Sequence, residues 1–307
     1  MKFPRTNSRT DSVGALRALN PWAVVDGNST PFDGGAAARD KKWIEARRAA
    51  AAARLAAGEL AWNEWASTML VLKRQIEGRA AATLWRDLAT ADFAGVAFSE
   101  RCDFAGLLFP GPADFSRARF AVDAWFASAR FADAADFSGA GFARDGFFER
   151  AEFAGTACFD RAHWFRDAQF RSSKFLGDAS FRDARFDRDV WLIGSRFAAS
   201  LSFAAGQFAA EAGLGQCDFC GPADFSQARF KDNAGFDQAR FFASARFDDA
   251  RFEGKAWFRE TRFDAEASFD RARFSSAMDF TGVSIPDRPG VVDEIATWTK
   301  RLGNRGL

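Results

Sequence analysis

The stretch GPADFSRARFAVDAWFASARF, residues 111–131, decides the fold because it repeats one short pattern four times. Large apolar residues stand at Phe115, Phe120, Phe126 and Phe131, so their spacing alternates between five and six. A small residue lies two positions before each of them, and residues two apart in an extended segment point to the same face. Steps of five and six would scatter around a helix. The stretch therefore predicts short strands whose small and large residues face a common core.

The same spacing continues without an insertion from about Ala91 to Ile285. The chain has 37 Phe and no Tyr, which indicates that one structural position is filled by the same residue type in repeat after repeat. The extra residue of each six-residue unit falls on turn formers such as Pro112 and Asp123, which indicates a corner. Four units would make a 22-residue coil, and about nine such coils would stack into a rod of roughly 40 Å. A flat coil of two walls and 11 residues is the alternative.

The succession of A-D-F-S-R and A-R-F resembles the pentapeptide repeat family, in its phenylalanine-rich variant with alternating five- and six-residue units. The resemblance implies a mainly β fold, a right-handed quadrilateral β-helix with four walls in each coil. Some members of this family imitate duplex DNA and protect DNA gyrase, as acidic rods that dimerise through a C-terminal helix. The repeat segment here is only mildly acidic and is interrupted by arginines, so DNA mimicry is kept as an alternative function.

The chain is predicted to have four parts, with the solenoid at 91–285 as the largest. Residues 1–35 have three prolines and no usable period, which predicts a flexible segment. Residues 36–90 are predicted to form a helical head, with Gly58 as a break between two helices. One face of the head has alternating steps of three and four, at Trp62, Trp65, Met69, Leu72 and Ile76. Residues 286–307 are predicted to form a C-terminal helix that caps the open end of the solenoid, with dimerisation as its alternative role.

Bulk composition favours a cytoplasmic protein without a membrane span. The formal net charge is +1, and four cysteines in 307 residues do not make a disulfide framework. The first residues have no apolar core like that of a signal peptide. The apolar stretch around Met69 is far shorter than the ~20 residues that span a bilayer. The balance of charge also gives no reason to expect direct binding of nucleic acid.

The sequence offers no convincing catalytic group. His163 is the one histidine and occupies an outward slot that arginines fill elsewhere. Cys217 and Cys220 form a lone C-x-x-C whose two side chains point to different sides of a wall, which does not suit a shared metal. Paired carboxylates such as Asp248 and Asp249 fall at turns, where acidic residues are expected. We therefore expect a protein that is not an enzyme and that requires no cofactor or metal.

Two outward surfaces are candidates for binding. Four large aromatic residues precede a core residue at separations of 22, 44 and 66, which places them on one wall: Trp125, Phe147, Trp191 and Trp257. Such a patch predicts a contact surface, either for a partner or for the N-terminal helices of the same chain. The secondary candidate is an arginine stripe, Arg229, Arg251 and Arg273, with Arg196, Arg240 and Arg262 on the opposite wall. Neighbouring carboxylates favour a self-neutralising ladder over an acidic partner.

The leading functional hypothesis is a non-enzymatic scaffold that binds a protein partner of unknown identity. It rests on a complete core pattern, the lack of catalytic groups and the aromatic wall. Peripheral membrane contact is a further alternative, because Arg47, Arg48, Lys73 and Arg74 flank the tryptophans of the head. A homodimer through the C-terminal segment remains open as well.

Overall fold

The computed structural model describes residues 41–285, and most of this range is a β-solenoid of about nine coils of about 22 residues. Each strand pairs in parallel with the strand 22 positions further on, as Ala113 does with Ala135. The 22-residue coil is thereby confirmed, and the two-walled coil of 11 residues is wrong. The predicted flexible segment at 1–35 and the predicted capping helix at 286–307 lie outside the described residues.

Four parallel sheets form the walls of the solenoid, and each coil contributes one two-residue strand to each sheet. Sheet 1 contains Ala91–Asp92, Ala113–Asp114, Ala135–Asp136, Ala157–Cys158, Ala179–Ser180, Leu201–Ser202, Ala223–Asp224, Ala245–Arg246 and Ala267–Ser268. Sheet 2 contains Ala97–Phe98, Arg119–Phe120, Gly141–Phe142, His163–Trp164, Arg185–Phe186, Gln207–Phe208, Arg229–Phe230, Arg251–Phe252 and Arg273–Phe274. Sheet 3 contains Ala124–Trp125, Gly146–Phe147, Ala168–Gln169, Val190–Trp191, Ala212–Gly213, Ala234–Gly235, Ala256–Trp257 and Met278–Asp279. Sheet 4 contains Leu108–Phe109, Arg130–Phe131, Glu152–Phe153, Lys174–Phe175, Arg196–Phe197, Asp218–Phe219, Arg240–Phe241 and Arg262–Phe263.

Tight turns connect sheet 1 to sheet 2 and sheet 3 to sheet 4. In the turn at 115–118 the amide of Ala118 donates to the carbonyl of Phe115 at 3.0 Å, and Arg117 has φ 56°. The carboxylate of Asp114 accepts the amide of Ser116 at 2.9 Å, which closes the start of the turn. In most coils the turn residue that corresponds to Arg117 also has a positive φ, between 54 and 59°, although it is not glycine. Each such residue costs roughly 1–2 kcal/mol relative to right-handed backbone, so the stacked coils must hold these turns in place.

The wider corners, which connect sheet 2 to sheet 3 and sheet 4 to sheet 1, carry the extra residue of the six-residue units. Asp123 and Pro112 stand there, as the turn formers in the sequence predicted. The backbones of successive coils approach closely at these corners. A Cβ on Gly155 would lie 2.6 Å from the carbonyl carbon of Asp133 on the preceding coil, so only glycine fits at that point.

The interior of the solenoid is a set of stacked aromatic columns. Rings one coil apart lie nearly parallel, as Phe115 and Phe137 do with centroids 4.8 Å apart and planes at 2°. Rings of neighbouring columns meet edge to face, as Phe115 and Phe126 do at 5.2 Å and 89°. Both geometries are favourable for aromatic pairs. The two Phe columns predicted from the sequence are therefore four columns in space, because alternate members belong to opposite walls.

Three helices cover the N-terminal end of this core: α1 (Lys41–Ala56), α2 (Glu59–Lys73) and α3 (Arg79–Ala89). The predicted break at Gly58 is confirmed, since it caps the start of α2 with φ 90°. The α2 side chain of Trp62 is fully buried against the first coil and donates from Nε1 to the carbonyl oxygen of Leu108 at 2.8 Å. Ile76, predicted to continue the same helix face, lies beyond the end of α2 because the helix stops at Lys73.

The apolar face of the head is directed inward. Met69 is buried in a small cluster with Leu84, Trp85 and Leu88 of α3, and Trp85 Nε1 donates to the carbonyl oxygen of Met69 at 2.7 Å. The packing buries Trp62 and Met69, and Trp65 is partly exposed with the guanidinium carbon of Arg54 at 4.3 Å from its ring centroid. Among residues 41–285, no helix is both long and apolar enough to cross a bilayer.

Candidate functional site

The outward residues of sheet 3 form a surface that we call the aromatic face: Trp125, Phe147, Trp191 and Trp257. Strand register places them on one wall, with Gln169 between Phe147 and Trp191 and with two glycines between Trp191 and Trp257. All four are partly exposed. No Phe or Trp stands at the outward strand positions of sheets 1, 2 and 4 within residues 41–285.

The aromatic face divides into a closed half and an open half. Trp125 and Phe147 stack with their centroids 4.1 Å apart and their planes at 17°, so each covers the other. Trp191 and Trp257 make no ring contact of this kind in the part of the chain that the structure describes. The three register steps between them span roughly 14 Å at the spacing of parallel strands. Gly213 and Gly235 occupy the two register positions between these indoles.

The two glycines between Trp191 and Trp257 lie in contact range of the neighbouring indoles. A Cβ added at Gly213 would lie 2.6 Å from Cε3 of Trp191, and one added at Gly235 would lie 3.7 Å from Cε3 of Trp257. Gly213 is buried beneath the Trp191 indole and the side chain of Ile193, whereas Gly235 beside Trp257 is partly exposed. Alanine at position 213 would displace the Trp191 ring, so the glycine there is required by the close approach of the indole.

Arginines of the same chain lie over the tryptophans of the aromatic face. The guanidinium carbon is 5.2 Å from the ring centroid for Arg101 over Trp125, 4.9 Å for Arg171 over Trp191, and 5.9 Å for Arg259 over Trp257. These distances are within the range of cation–π attraction. Sequence reasoning missed these contacts because the arginines stand beside sheet 3 and not on it. Arg101 and Arg171 reach the ring of the next coil, whereas Arg259 lies two residues after Trp257 in the same coil.

The N-terminal helices leave the aromatic face uncovered. Helix α1 packs on the first strand of sheet 1 and α2 packs on Leu108–Phe109 of sheet 4. Arg47 and Arg48 of α1 both bind the buried carboxylate of Asp92, with nitrogen–oxygen distances of 2.6 and 3.1 Å. The alternative that the helices of the head fold over the aromatic face is therefore wrong for α1, α2 and α3.

A row of carboxylates runs along the corner directly before sheet 3, and we call it the acidic row: Asp123, Asp145, Asp167, Asp189 and Glu211. The backbone amide of Asp167 donates to the Asp145 carboxylate at 3.1 Å, which holds successive members one coil apart. Partial burial raises the pKa of Asp167, and the negative charges of Asp145 and Asp189 raise it further. Burial likewise raises the pKa of Glu211, with smaller contributions from Asp189 and Asp232.

Changing Asp167 to Asn should stabilise the protein at neutral pH. Because the folded-state pKa of Asp167 is raised, its charge destabilises the fold above that pKa, and the penalty disappears as the pH falls below the ordinary range of an aspartate. The amide still accepts a backbone N–H, as the Asn233 side chain does from Lys255 at 3.1 Å. Urea unfolding should show a gain of a few tenths of a kcal/mol at pH 7 and none near pH 3.

Asp123→Asn is the matched control, because Asp123 has a carboxylate neighbour on one side only and Arg101 stands one coil before it. We expect a smaller gain there. A loss of stability on Asp167→Asn at pH 7 would show that repulsion along the acidic row is not the dominant effect.

The repeats match a family model described as Pentapeptide repeats (9 copies), at residues 148–196, 159–207 and 236–284. The matched residues, 148–207 and 236–284, carry pentapeptide repeats. No curated protein and no solved structure matches it significantly. The small, polar, large pattern of the pentapeptide repeats thus accounts for the inward positions of the coil, and it leaves the outward positions free to differ between the four walls.

The arginine stripe is also an outward feature of the pentapeptide repeats. Strand register places Arg229, Arg251 and Arg273 in one line on sheet 2. Arg229 pairs with the Glu253 carboxylate at 2.5 Å. Beside the stripe, Arg271 binds Asp249 through two nitrogens at 2.8 and 2.9 Å. Carboxylates therefore neutralise part of the positive charge along this wall.

The arginines of the opposite wall, sheet 4, also lie beside carboxylates. On sheet 4, Arg196 lies 3.4 Å from the Asp218 carboxylate, and Arg262 is bonded to Asp264. Arg240 lies between them in register. Exposed pairs of this type contribute little to stability, and they present a surface of mixed charge.

Two of the reactive side chains of the pentapeptide repeats, His163 and Cys217, have structural partners. His163 Nε2 is 2.9 Å from the Asp187 carboxylate at the surface. Cys217 is fully buried, burial raises the pKa of its thiol to about 12, and its Sγ donates to the carbonyl oxygen of Leu192 at 3.1 Å. Cys220 lies at a corner and is partly exposed. Residues 41–285 contain no group of three or more His, Cys, Asp or Glu side chains that could hold a metal ion.

Proposed function

We propose that this protein, which carries pentapeptide repeats, is a non-enzymatic interaction module whose aromatic face binds a protein partner. The observation that carries the proposal is the concentration of Trp125, Phe147, Trp191 and Trp257 on one wall, whereas the described outward strand positions of the other three walls hold no Phe or Trp. Aromatic side chains on a rigid surface supply much of the binding energy at protein interfaces, with little loss of conformational entropy.

Two further features support the aromatic face over the arginine stripe as the contact surface. Both surfaces lie on two-residue strands held by the neighbouring coils, but the aromatic side chains have fewer rotatable bonds than arginine and lose less conformational entropy on binding. The arginines, in contrast, already have carboxylate partners at several positions, as Arg229 does with Glu253. An acidic partner would have to displace these ion pairs.

A photo-crosslinking residue at position 169 tests the proposal, because Gln169 lies on sheet 3 between Phe147 and Trp191. The full chain would be expressed in its native cell and irradiated. We expect a discrete crosslinked protein from position 169 and none from position 207, where Gln207 has the outward slot of sheet 2. Equal products from both positions would contradict a contact surface on the aromatic face.

Serine substitutions provide the second test. Changing Trp125, Trp191 and Trp257 to serine should abolish the crosslink and co-purification of the same protein. The matched control changes three exposed apolar side chains that lie off sheet 3, Phe165, Leu176 and Phe242. Loss of binding in the control alone would move the contact surface to the corners of the solenoid.

A further inference from the structure

We infer that α2 is an edge cap for sheet 4, which keeps a second copy of the chain from pairing with the first coil. Two of its residues, Trp62 and Asn63, take the place of a preceding strand. The backbone N–H of Leu108 donates to Oδ1 of Asn63 at 2.8 Å, and the carbonyl oxygen of Leu108 accepts from Nε1 of Trp62 at 2.8 Å. Nδ2 of Asn63 also donates to the carbonyl oxygen of Gly106 at 3.2 Å. A side-chain amide offers the same kinds of donor and acceptor as a peptide group.

The backbone groups of Leu108 need such partners because they point away from the second coil. On either side of Leu108, the carbonyl oxygens of Leu107 and Phe109 accept from amides of the second coil at 2.8 and 2.9 Å. Successive residues of a strand direct their backbone groups to opposite sides, so the N–H and C=O of Leu108 face the end of the solenoid. In the second coil, the amide of Arg130 donates to the backbone carbonyl of Leu107. Oδ1 of Asn63 has the same role for Leu108.

The edge of sheet 2 has the same geometry without a cap. Ala97 corresponds there to Leu108, and the carbonyl oxygens of its neighbours Val96 and Phe98 accept from the second coil at 2.8 and 2.9 Å. The backbone groups of Ala97 therefore also face the end of the solenoid. Ala97 is exposed, and no hydrogen bond to its backbone occurs among residues 41–285. The hydrogen bonds to Leu108 are thus a contribution of α2 and not a general property of the first coil.

The cap covers the surface that a second solenoid would need. A stacked copy would have to reach the edge of sheet 4 and the rings of Phe93 and Phe109, and the fully buried indole of Trp62 lies against both rings. Helix α1 lies on the edge of sheet 1, where two of its arginines bind the Asp92 carboxylate. Unpaired strand edges are templates for pairing with another chain. Displacing α2 should therefore let a second copy pair with the first coil.

Amide hydrogen exchange of the full chain, followed by NMR, tests the hydrogen bonds of the edge cap. We expect the Leu108 amide to exchange about tenfold faster in Asn63→Leu than in the wild type, because one hydrogen bond is lost. Asn63→Asp retains an oxygen acceptor for Leu108 and should keep the slow exchange, although the bond to Gly106 is lost. The Ala97 amide is the internal reference and should exchange equally fast in all three proteins.

Sedimentation velocity tests whether the edge cap excludes a second copy. The double variant Trp62→Ala/Asn63→Leu should form species larger than those of the wild type, in a proportion that rises with protein concentration. Asn63→Leu alone should show the same trend to a smaller degree. Gly146→Ala is the matched control, because its Cβ would meet Trp164 inside the solenoid and the end would stay capped. The control should sediment like the wild type, and circular dichroism would check that every variant is folded.

Several outcomes would overturn the inference. A Leu108 amide that exchanges as fast as that of Ala97 in the wild type, or equally fast in Asn63→Leu and the wild type, would show that Asn63 does not replace a strand. A folded double variant that sediments like the wild type at every concentration would show that α2 does not exclude a second copy. Equal association of Gly146→Ala would attribute the larger species to lost stability. No residue of the aromatic face is changed, so these outcomes are independent of the proposed function.

Discussion

Replacing Trp62 with alanine should lower the free energy of unfolding by about 3–5 kcal/mol. The indole is fully buried and stacks on Phe93 at 6.3 Å, and it meets Phe109 edge to face at 5.3 Å. Its removal would leave a cavity over the first coil and would free the carbonyl oxygen of Leu108. Urea unfolding followed by circular dichroism would measure the loss.

Leu60→Ala is the matched control on the same helix, because Leu60 is 89% exposed. We expect it to change the unfolding free energy by less than about 0.5 kcal/mol. Trp62→Phe should fall between the two, since it retains a ring on the core and loses the hydrogen bond. Similar small losses for Trp62→Ala and Leu60→Ala would mean that α2 does not seal the end of the solenoid.

Replacing Gly146 with alanine should destabilise the protein by about 1–3 kcal/mol. Gly146 stands at an inward position of sheet 3 where neighbouring coils have Ala124 and Ala168. A Cβ at Gly146 would lie 2.7 Å from Nε1 of Trp164. The indole cannot move away easily, because it is fully buried in a stack between Phe142 and Phe186.

Trp164→Phe should rescue Gly146→Ala, because phenylalanine is the usual residue of that column and leaves space for the methyl group. The Trp164 indole N–H is buried without a hydrogen-bond partner among the described residues, so its removal also eliminates an unsatisfied donor. In a double-mutant cycle measured by urea unfolding, we expect a coupling of more than about 1 kcal/mol. Additive losses would show that the Gly146 and Trp164 positions do not compete for the same space.

The inward half of the molecule could be predicted from the sequence because it depends on local periodicity. The small residue, the large residue two positions later and the extra residue at Pro112 or Asp123 determine wall, face and corner for every unit. The same register placed Trp125, Phe147, Trp191 and Trp257 on one wall. Trp164 replaces the usual phenylalanine without a change of register. Gly146 makes space for the larger indole, but the sequence pattern does not indicate this, because the two residues are 18 positions apart.

The sequence alone thus determined which residues face the core and which share a wall, since in a solenoid both follow from counting residues. The tertiary structure decided which outward side chains remain available. Contacts between coils stack Trp125 on Phe147 and place the Trp191 and Trp257 indoles against Gly213 and Gly235. They also place Arg171 over the Trp191 ring. The placement of α1 and α2 on the end of the core likewise depends on contacts between distant residues, such as Trp62 with Leu108, which no repeat period encodes.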